Sequence, residues 1–476
     1  MTPNQYTPEE PISSIATALS PAALGIVRVS GKNCIELVSK VFSRPKALLQ
    51  ADGNTLVYGW IQNSASEKID EVMLGVYKSP KSFTGEDMVE IYCHGGPAVV
   101  TAIQNLMLKS GFRQANRGEY TFRAYINGKT DLTKAEAVKE IIDSHTDVSR
   151  SHAAGRLSGE LFNQIDSIKK LIIDTLAAIE VEIEYPEDEE TIADTFDRAD
   201  IEKAITKLQN LVDSWKGEKL YQDGARVVLA GKTNAGKSSL FNAVLKEERA
   251  IVSDIEGTTR DWLESWASIN GIPVRLFDTA GLRQTSDIIE AKGVELSKNL
   301  ANDADLVLYL VDCTAGLCDD DKEFISHCDE PLIIVFNKAD KADEMQKSKN
   351  TSDLHESLDF QEILQKTNDN QTPVVFISAK NGDGLKELFE KMSEILTSGI
   401  ATEREQAGLG SARQKEAVQE ALECTKHALL SADDNYTLDA VVQDLEDALD
   451  ALGEVTGDVT PDDVLGSIFA NFCVGK

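Results

Sequence analysis

A glycine-rich octapeptide suited to holding phosphate follows an apolar run near the middle of the chain. The run ARVVLA (225–230) leads into GKTNAGKS (231–238), and a helix-like segment comes next. Backbone N–H groups of such a loop, and of the helix N-terminus behind it, can wrap phosphate oxygens. Lys237 would supply a positive charge to the β- and γ-phosphates, and the Ser238 hydroxyl is a suitable Mg²⁺ ligand. The strand–loop–helix setting predicts a nucleoside triphosphate site.

Three further segments, each at the end of an apolar strand, supply the other parts of a guanine-nucleotide site. DTAG (278–281) offers the Asp278 carboxylate for Mg²⁺, through water, and a glycine amide for the γ-phosphate. NKAD (337–340) ends in a carboxylate that can accept two hydrogen bonds from guanine, which adenine cannot offer. The backbone of SAK (378–380) can contact guanine O6. Open α/β sheets bind ligands at strand carboxyl ends, so this order predicts GTP.

The loop AIVSDIEGTTRD (250–261) lies between the phosphate loop and DTAG. We expect a threonine here to complete the Mg²⁺ shell, and Thr259 is the better candidate; an ordinary polar surface loop is the alternative. Ser238 and Thr259 are therefore the predicted magnesium ligands, and Lys237 is a predicted catalytic residue. The predicted GTP-binding residues are Asn234, Ala235, Gly236, Lys237, Ser238, Ser239, Ser253, Asp254, Ile255, Glu256, Gly257, Thr258, Thr259, Asp278, Thr279, Ala280, Gly281, Asn337, Lys338, Ala339, Asp340, Ser378, Ala379 and Lys380.

Strands and helices must position these segments, and the sequence patterns that predict them change along the chain. Short β-rich runs alternate with a helix-like stretch before residue 120, which predicts a mixed α/β domain. The β-rich runs lie at 25–31, 55–61, 72–78 and 88–95, and the helix-like stretch at 98–110. Strand–helix alternation returns over roughly 224–398. The predicted nucleotide-binding segments therefore lie in a second α/β region.

Helical spacing of apolar residues flanks that second region. It starts at Leu132, breaks at Pro186, resumes in a helix expected to run to Trp215, and returns from Leu438 to Leu452. The simplest account is a discontinuous helical domain with a Ras-like P-loop G domain inserted, after an N-terminal α/β domain. The predicted domains are 1–120 (N-terminal), 121–216 (helical, first part), 217–399 (G domain) and 400–476 (helical, second part).

Bulk composition favours a multidomain protein of the cytoplasm. At 476 residues the chain is too long for one core. It has no apolar run of 18 residues and no signal-peptide pattern at its start, and seven scattered cysteines suggest reduced thiols. The net charge of −32 argues against binding nucleic acid through the surface as a whole. A local basic patch, or a partner that supplies cations, is still compatible with it.

Several runs of the chain are distinctive as sequence motifs. GTTRD (257–261) occurs in several groups of GTPases. The more specific runs are GIVRVSG (25–31), SFTGEDMVEIYCHGGP (82–97), RGEYTFRAYINGKTDLTKAEA (117–137) and the terminal FCVGK (472–476). With these runs, the whole chain resembles the MnmE (TrmE) family of tRNA modification GTPases, in the Era-like group of P-loop GTPases. The resemblance implies a GTPase that modifies tRNA.

The resemblance implies that the N-terminal domain is similar to folate-dependent one-carbon enzymes. It implies dimerisation through that domain and binding of 5-formyl- or 5,10-methylene-tetrahydrofolate. Matched by motif, the folate contacts would be Arg28, Glu90, Lys129 and Lys476. Taken alone, the first three residues are better interpreted as surface charges.

The resemblance also implies partners and a reaction. Family members form a homodimer and act in a heterotetramer with the FAD-dependent protein MnmG (GidA). Together they install an aminomethyl or carboxymethylaminomethyl group at C5 of the wobble uridine in certain tRNAs. We expect tRNA to be bound largely through the partner, and no membrane association.

The position that carries a water-orienting glutamine in Ras-type proteins is Leu282 here. The family resemblance implies potassium activation instead, with K⁺ held by Asn234 and by a loop matching Ser253, Ile255 and Thr258. It implies that Glu290 orients the attacking water. Asn234 as a loop-structuring amide and Glu290 as a solvated charge are the alternatives. Two nearby arginines, Arg260 and Arg283, are rivals for the role of K⁺.

One other class of function is compatible with the nucleotide motifs. A regulatory or ribosome-assembly GTPase that only binds RNA would also carry GTTRD and SAK. The folate-like N-terminal domain and the CVGK tail (473–476) favour the enzyme. Cys473 in that tail is better interpreted as a packed thiol than as a nucleophile.

Overall fold

The structure is a computed structural model that describes residues 10–184, 198–247, 263–278, 303–341, 372–398, 407–433 and 438–476. The chain divides into two compact units. The first comprises Met1–Ile142, Gly155–Val212 and Ala412–Lys476, and the second Asp143–Ala154 and Asp213–Ser411.

The first unit begins with a mostly antiparallel sheet. Its strands are β1 (Ile12–Ile15), β2 (Ala22–Ser30), β3 (Thr55–Gln62), β4 (Lys68–Tyr77), β5 (Met88–Gly95) and β6 (Arg113–Gln114), in the order β3-β4-β5-β2-β1-β6. Between them lie the helices α1 (Cys34–Ser39), α2 (Pro45–Leu49) and α3 (Pro97–Lys109). The four strands and the helix predicted in this region are confirmed.

Period-two alternation gives this sheet one buried and one open face. On β2, Val27 and Val29 are fully buried in the core with Val100 of α3, whereas Arg28 points to the opposite face. That open face also carries exposed apolar side chains. They are Leu24 (64% exposed), Leu56 (59%), Tyr58 (53%) and Met73 (42%).

Helices follow the sheet along the chain. They are α4 (Glu119–Ile126), α5 (Leu132–Asp143), α6 (Asp147–Ser158), α7 (Glu160–Glu184) and α8 (Arg198–Asp223). The predicted apolar spacing is confirmed in α7, where Leu161, Ile165, Ile168 and Ile172 are each at most 1% exposed. In α5, Leu132 and Ala135 of the predicted apolar spacing are fully buried, whereas Ile142, at the end of that spacing, is 45% exposed.

The predicted end of α8 at Trp215 is wrong, because the helix continues to Asp223. Leu220 and Tyr221, in the added part, pack against the hydrophobic core of the second unit. Gly224 then takes a left-handed φ of +71° and ends the helix. Tertiary packing therefore extends α8 by eight residues beyond the point where the sequence pattern fades.

The second unit is a mainly parallel sheet with helices. Its elements are β7 (Ala225–Gly231), α9 (Lys237–Glu247), β8 (Leu263–Ile269), β9 (Ile272–Asp278), β10 (Leu306–Asp312), α10 (Asp319–His327), β11 (Leu332–Asn337), β12 (Val374–Phe376) and α11 (Leu385–Leu396). The strand order is β12-β11-β10-β7-β9-β8, and only β8 runs antiparallel to its neighbour among these strands. The parallel strands are buried along nearly their whole length, which is typical of a sheet covered on both faces. Their carboxyl ends share one edge.

A short segment before α7 belongs to the second unit. In Asp143–Ala154, the His145 ring stacks on Trp266 of β8, with centroids 3.9 Å apart. Val148 lies beside Gly271 in the β8–β9 turn. Burial lowers the pKa of His145. This segment therefore packs on the antiparallel edge of the sheet.

The last helices return to the first unit. They are α12 (Ala412–Asp433), α13 (Leu438–Thr456) and α14 (Asp462–Ala470). Arg413 of α12 pairs with Glu136 of α5 at 2.9 Å, which joins the two parts of the helical domain. The order of elements confirms the predicted fold class, a discontinuous helical domain with an inserted α/β domain. Among the described helices, none combines the length and apolar character needed to cross a bilayer.

Candidate functional site

The phosphate loop joins β7 to α9 and has the backbone conformation that its sequence demands. Gly231 and Gly236 have φ of +127° and +100°, and Asn234 also lies in the left-handed region at +61°. A Cβ at Gly236 would lie 2.0 Å from the Asn337 side-chain nitrogen. Glycine is therefore required at this position both for backbone conformation and for the close approach of NKAD.

Asn337 connects the three loops of the predicted base and phosphate site. Its side-chain nitrogen donates to the Ala235 carbonyl of the phosphate loop at 2.9 Å. Its side-chain oxygen accepts from the Ala379 amide at 3.0 Å. Asn337 is only 2% exposed, so both hydrogen bonds are sheltered from water. The structure thus brings the phosphate loop, NKAD and SAK together around one amide.

The SAK loop holds the Asp340 carboxylate of NKAD in place. Ser378, itself fully buried, donates from its hydroxyl to Asp340 Oδ1 at 2.8 Å. The Ala339 amide donates to the Ile377 carbonyl at 3.1 Å. These contacts fix the carboxylate that the sequence predicts to recognise guanine. Lys380 is exposed beside them.

The predicted magnesium ligands on the described residues lie in contact. The Ser238 hydroxyl donates to Asp278 Oδ2 at 2.9 Å, and Asp278 is only 3% exposed. A hydroxyl and a carboxylate are hard oxygen donors that suit Mg²⁺. The Lys237 ammonium donates to the Gly231 and Lys232 carbonyls at 2.6 and 2.8 Å, inside the phosphate loop. Ser239 lies exposed in the first turn of α9.

Several predicted site residues lie outside the described residues. They are Ser253, Asp254, Ile255, Glu256, Gly257, Thr258, Thr259, Thr279, Ala280, Gly281 and Glu290. Leu282, Arg260 and Arg283 lie outside them as well. The predictions for these residues stay predictions.

Asp312, at the end of β10, contacts the NKAD loop, and the sequence motifs do not include it. Its Oδ2 accepts from the Lys338 ammonium of NKAD at 2.6 Å. Burial alone would raise the Asp312 pKa, but hydrogen bonds from Lys338 and Thr314 hold it below its ordinary value. An acidic residue directly after an apolar strand, in LVLYLVD (306–312), was the available signal.

A second cluster forms on the open face of the N-terminal sheet. Arg28 donates to Glu90 Oε1 from Nε (2.9 Å) and from Nη2 (2.7 Å), and both side chains are about 15% exposed. Glu90 Oε2 accepts from the Tyr92 hydroxyl at 2.6 Å. Burial and the neighbouring Glu90 raise the Tyr92 pKa above its ordinary value. Arg28 and Glu90 are therefore a paired, sheltered site rather than separate surface charges.

The chain terminus closes one side of this cluster. Arg28 donates from Nη1 to the Gly475 carbonyl at 3.0 Å, and Val474 pairs with Arg117 in an isolated β-bridge. The Tyr120 amide donates to the Lys476 carbonyl at 3.3 Å. Burial, and then the charge of Arg28, lower the Lys476 pKa. The structure thus brings Arg28, Glu90 and Lys476 together from both ends of the chain.

Lys129 reaches the cluster only through a loop. Its ammonium donates to the Pro80 carbonyl at 2.9 Å, and its stem lies beside Gly85. Phe83, in the same loop, lies under the Arg28 guanidinium at 5.7 Å. The aromatic lining, which also includes Tyr77, Tyr92 and Tyr120, was not identified from the sequence. Tyr92 lies two residues from Glu90 on the same strand face, and this spacing was a usable signal.

The α/β unit, with its phosphate loop after β7 and its NKAD and SAK loops at the same sheet edge, defines a P-loop GTP-binding protein. Residues 11–129 match the family model described as the GTP-binding protein TrmE N-terminus, and residues 132–473 match the MnmE helical domain. The chain belongs to the MnmE (TrmE) family.

Full-length relatives agree with this assignment. The tRNA modification GTPase MnmE of Treponema denticola is 52% identical over 99% of both chains. The protein of the same name from Treponema pallidum is 40% identical over the whole of both chains. A solved structure of Era from Aquifex aeolicus bound to GDP and aluminium fluoride is 25% identical, over 42% of this chain and 66% of that one, with a TM-score of 0.28. The TM-score is too low for this structure to support the assignment. The assignment rests on the family models and the full-length relatives.

Proposed function

We propose that this protein is a potassium-dependent GTPase that drives tRNA modification. With an FAD-dependent MnmG-type partner, it installs an aminomethyl or carboxymethylaminomethyl group at C5 of the wobble uridine in certain tRNAs. The observation that carries the proposal is the joining of the phosphate loop, NKAD and SAK by Asn337, in a chain whose full-length relatives are named tRNA modification GTPases. We place this activity in the cytoplasm.

The nucleotide is GTP with Mg²⁺. Asp340 recognises the guanine edge, and the backbone of Ser378, Ala379 and Lys380 lies by O6. Lys237 exchanges its contacts with loop carbonyls for the phosphates when the nucleotide enters. Ser238, with Thr259, would hold Mg²⁺, and Asp278 would support it through water. A bound Mg²⁺ would supply positive charge against the negative charge that develops on the phosphates.

A bound K⁺ would supply the positive charge that an arginine finger supplies in other GTPases. Asn234, with Ser253, Ile255 and Thr258, would form the K⁺ site. Glu290 orients the attacking water once two G domains dimerise. Leu282 cannot do so, because an alkyl side chain neither donates nor accepts a hydrogen bond.

A tetrahydrofolate derivative, carrying a formyl or methylene group, binds on the open face of the N-terminal sheet. The Arg28–Glu90 pair and the Lys476 side chain suit a ligand that carries both a pterin ring and carboxylates. Phe83, held 5.7 Å from Arg28, adds an aromatic surface for the ring. Lys129 acts by holding the loop that carries Phe83.

A second copy of the chain covers the open face of that sheet. Leu24, Leu56, Tyr58 and Met73 are all more than 40% exposed there, which is unusual for large apolar side chains on one face. A homodimer through this face would bury them next to the folate site. The net charge of −32 fits tRNA binding largely through the partner, since a strongly acidic protein repels phosphate as a whole.

The test is GTP hydrolysis in KCl and in NaCl at matched ionic strength. We expect fast turnover in K⁺ and slow turnover in Na⁺, whose smaller radius fits a site of fixed oxygens sized for K⁺ poorly. Asn234→Ala should remove the K⁺ stimulation. Glu290→Ala should lower turnover by about 10²-fold or more, the range for a lost water-positioning group, with little change in GTP affinity. Equal rates in the two salts, or a fully active Glu290→Ala protein, would refute this mechanism.

A further inference from the structure

Asp312 lies at the carboxyl end of β10, which lies between β7 and β11 in the second sheet. In the parallel register of β10 and β11 it is paired with Asn337, the first residue of NKAD. The next backbone contact is also between these strands, from the Cys313 amide to the Asn337 carbonyl at 2.9 Å. Asp312 therefore lies directly beside the base-recognition loop, although it belongs to none of the nucleotide motifs.

Three donors orient the Asp312 carboxylate. Oδ1 accepts from the Thr314 amide at 2.9 Å and from the Thr314 hydroxyl at 2.7 Å. Oδ2 accepts from the Lys338 ammonium at 2.6 Å. The two charged side chains are 21% and 27% exposed, so water screens their attraction only in part. This is a fixed, charge-assisted contact.

The two ends of the Lys338 side chain are both constrained. Its backbone has a φ of +66°, a conformation that a residue with a Cβ seldom adopts. On either side of it, Asn337 is bonded to the phosphate loop and Asp340 to Ser378. With the ammonium held by Asp312, the four-carbon stem of Lys338 is ordered before any ligand arrives.

We propose that Asp312 is a positioning residue for guanine nucleotides: it holds Lys338 so that the methylene stem of this lysine forms a fixed apolar wall against the face of the base. The inference rests on the proposed GTP-binding function and adds a residue to it. An ordered stem offers a planar ring continuous van der Waals contact without losing rotamer freedom on binding.

A second ion pair on the same side of the unit provides a matched control. Lys232 of the phosphate loop pairs with Asp320 at 3.2 Å, but these side chains are 48% and 82% exposed. Solvent-exposed pairs contribute little. Asp320→Asn removes one negative charge, as Asp312→Asn does. Like Asp312, Asp320 is paired with a lysine near the predicted nucleotide site, in this case Lys232. The substitution therefore controls for the general effect of one negative charge near the phosphates.

The experiment measures the dissociation rate of a fluorescent GDP analogue from the full-length protein. Asp312→Asn keeps the side-chain size and should raise the rate about tenfold, the effect of losing one charge-assisted hydrogen bond. In steady-state hydrolysis the change should be larger in KM than in kcat. Asp320→Asn should change the dissociation rate by less than about twofold.

A double-mutant cycle shows whether Asp312 acts through Lys338. Lys338→Met keeps a flexible apolar stem without the ammonium, and in that background Asp312→Asn should have no further effect. The proposal is overturned if Asp312→Asn matches the wild type, if it matches Asp320→Asn, or if its effect persists undiminished in the Lys338→Met protein. Wild-type protein that binds no guanine nucleotide would overturn the proposed function together with this inference.

Discussion

The Asp340 carboxylate, which accepts a hydrogen bond from the Ser378 hydroxyl on Oδ1, is the group predicted to recognise guanine. Asp340→Asn exchanges an acceptor for a donor at the guanine edge. We expect GTP affinity to fall by about 10²-fold, because two hydrogen bonds to a charged group are lost. Affinity for xanthosine triphosphate should rise, since xanthine offers a carbonyl where guanine has its amine. Isothermal titration with both nucleotides measures the exchange.

Ser378→Ala is the control for that measurement, because it frees the Asp340 carboxylate without changing its chemistry. This variant should weaken GTP and xanthosine triphosphate alike. A GTP affinity left unchanged in Asp340→Asn would remove the carboxylate from base recognition.

At the residue scale, the sequence predicted those side chains whose roles follow from a local pattern. Lys237, Ser238, Asp278 and Asp340 each follow an apolar strand at a fixed spacing, so the pattern alone indicated their roles. Asp312 also ends an apolar run, but its role was not evident, because its partner Lys338 follows a different strand. Only the parallel register of β10 and β11 brings the two side chains together.

The C-terminal tail is the element on which the second cluster depends. Removing residues 473–476 deletes the carbonyl that Arg28 contacts at 3.0 Å, the bridge between Arg117 and Val474, and the Lys476 ammonium. We expect affinity for 5-formyltetrahydrofolate to fall by about 10- to 100-fold, as for lost hydrogen bonds to charged groups. GTP hydrolysis should stay largely intact. Calorimetry with the folate and a phosphate-release assay measure the two effects.

Lys476→Met separates the tail's backbone from its charge. This variant keeps the hydrogen bond from Arg28 to the Gly475 carbonyl and should therefore retain part of the folate affinity. Equal binding by the truncated and full-length proteins would mean that the tail has no direct part in the pocket.

A substitution at Gly224, which ends α8, tests whether packing fixes the C-terminal boundary of this helix. Gly224 has a φ of +71°, and a Cβ there would lie 2.4 Å from the Trp266 ring. Gly224→Ala should cost about 1–2 kcal/mol for the left-handed backbone and about 1–3 kcal/mol more for overpacking. Thermal unfolding followed by tryptophan fluorescence reports the loss.

Gly316 is the matched position for that test. Its φ is +73°, but a Cβ there would meet nothing within 4 Å, so Gly316→Ala should carry only the backbone cost. If the two variants unfold at the same temperature, the contact with Trp266 does not constrain this boundary.

At the element scale, periodicity predicted the long strands and helices but not their docking. The strands of the N-terminal sheet and the helix α7 were evident because their burial alternates with a regular period. The short strands β1 and β6 were missed, since four and two residues carry too little pattern. The extension of α8 to Asp223 depends on tertiary packing of Leu220 and Tyr221, which no local period reports.

At the scale of the whole molecule, the order of the segments was predictable and their association was not. A helical pattern interrupted by a nucleotide-binding pattern predicts an inserted domain, and the family models span the chain on both sides of residue 130. The return of residues 474–476 to the N-terminal sheet joins positions more than 440 residues apart. Chain ends carry no periodic signal for such a contact, so only the family resemblance indicated it.

The central claim, that GTP binding by this chain drives tRNA modification, is tested most directly by mass spectrometry of tRNA nucleosides. Cells that lack the gene should lose aminomethyl-type groups at C5 of the wobble uridine. The wild-type gene should restore them, and the Asp340→Asn gene, expressed at the same level, should not. An unchanged nucleoside profile in the deletion strain, or full restoration by the Asp340→Asn gene, would contradict the account.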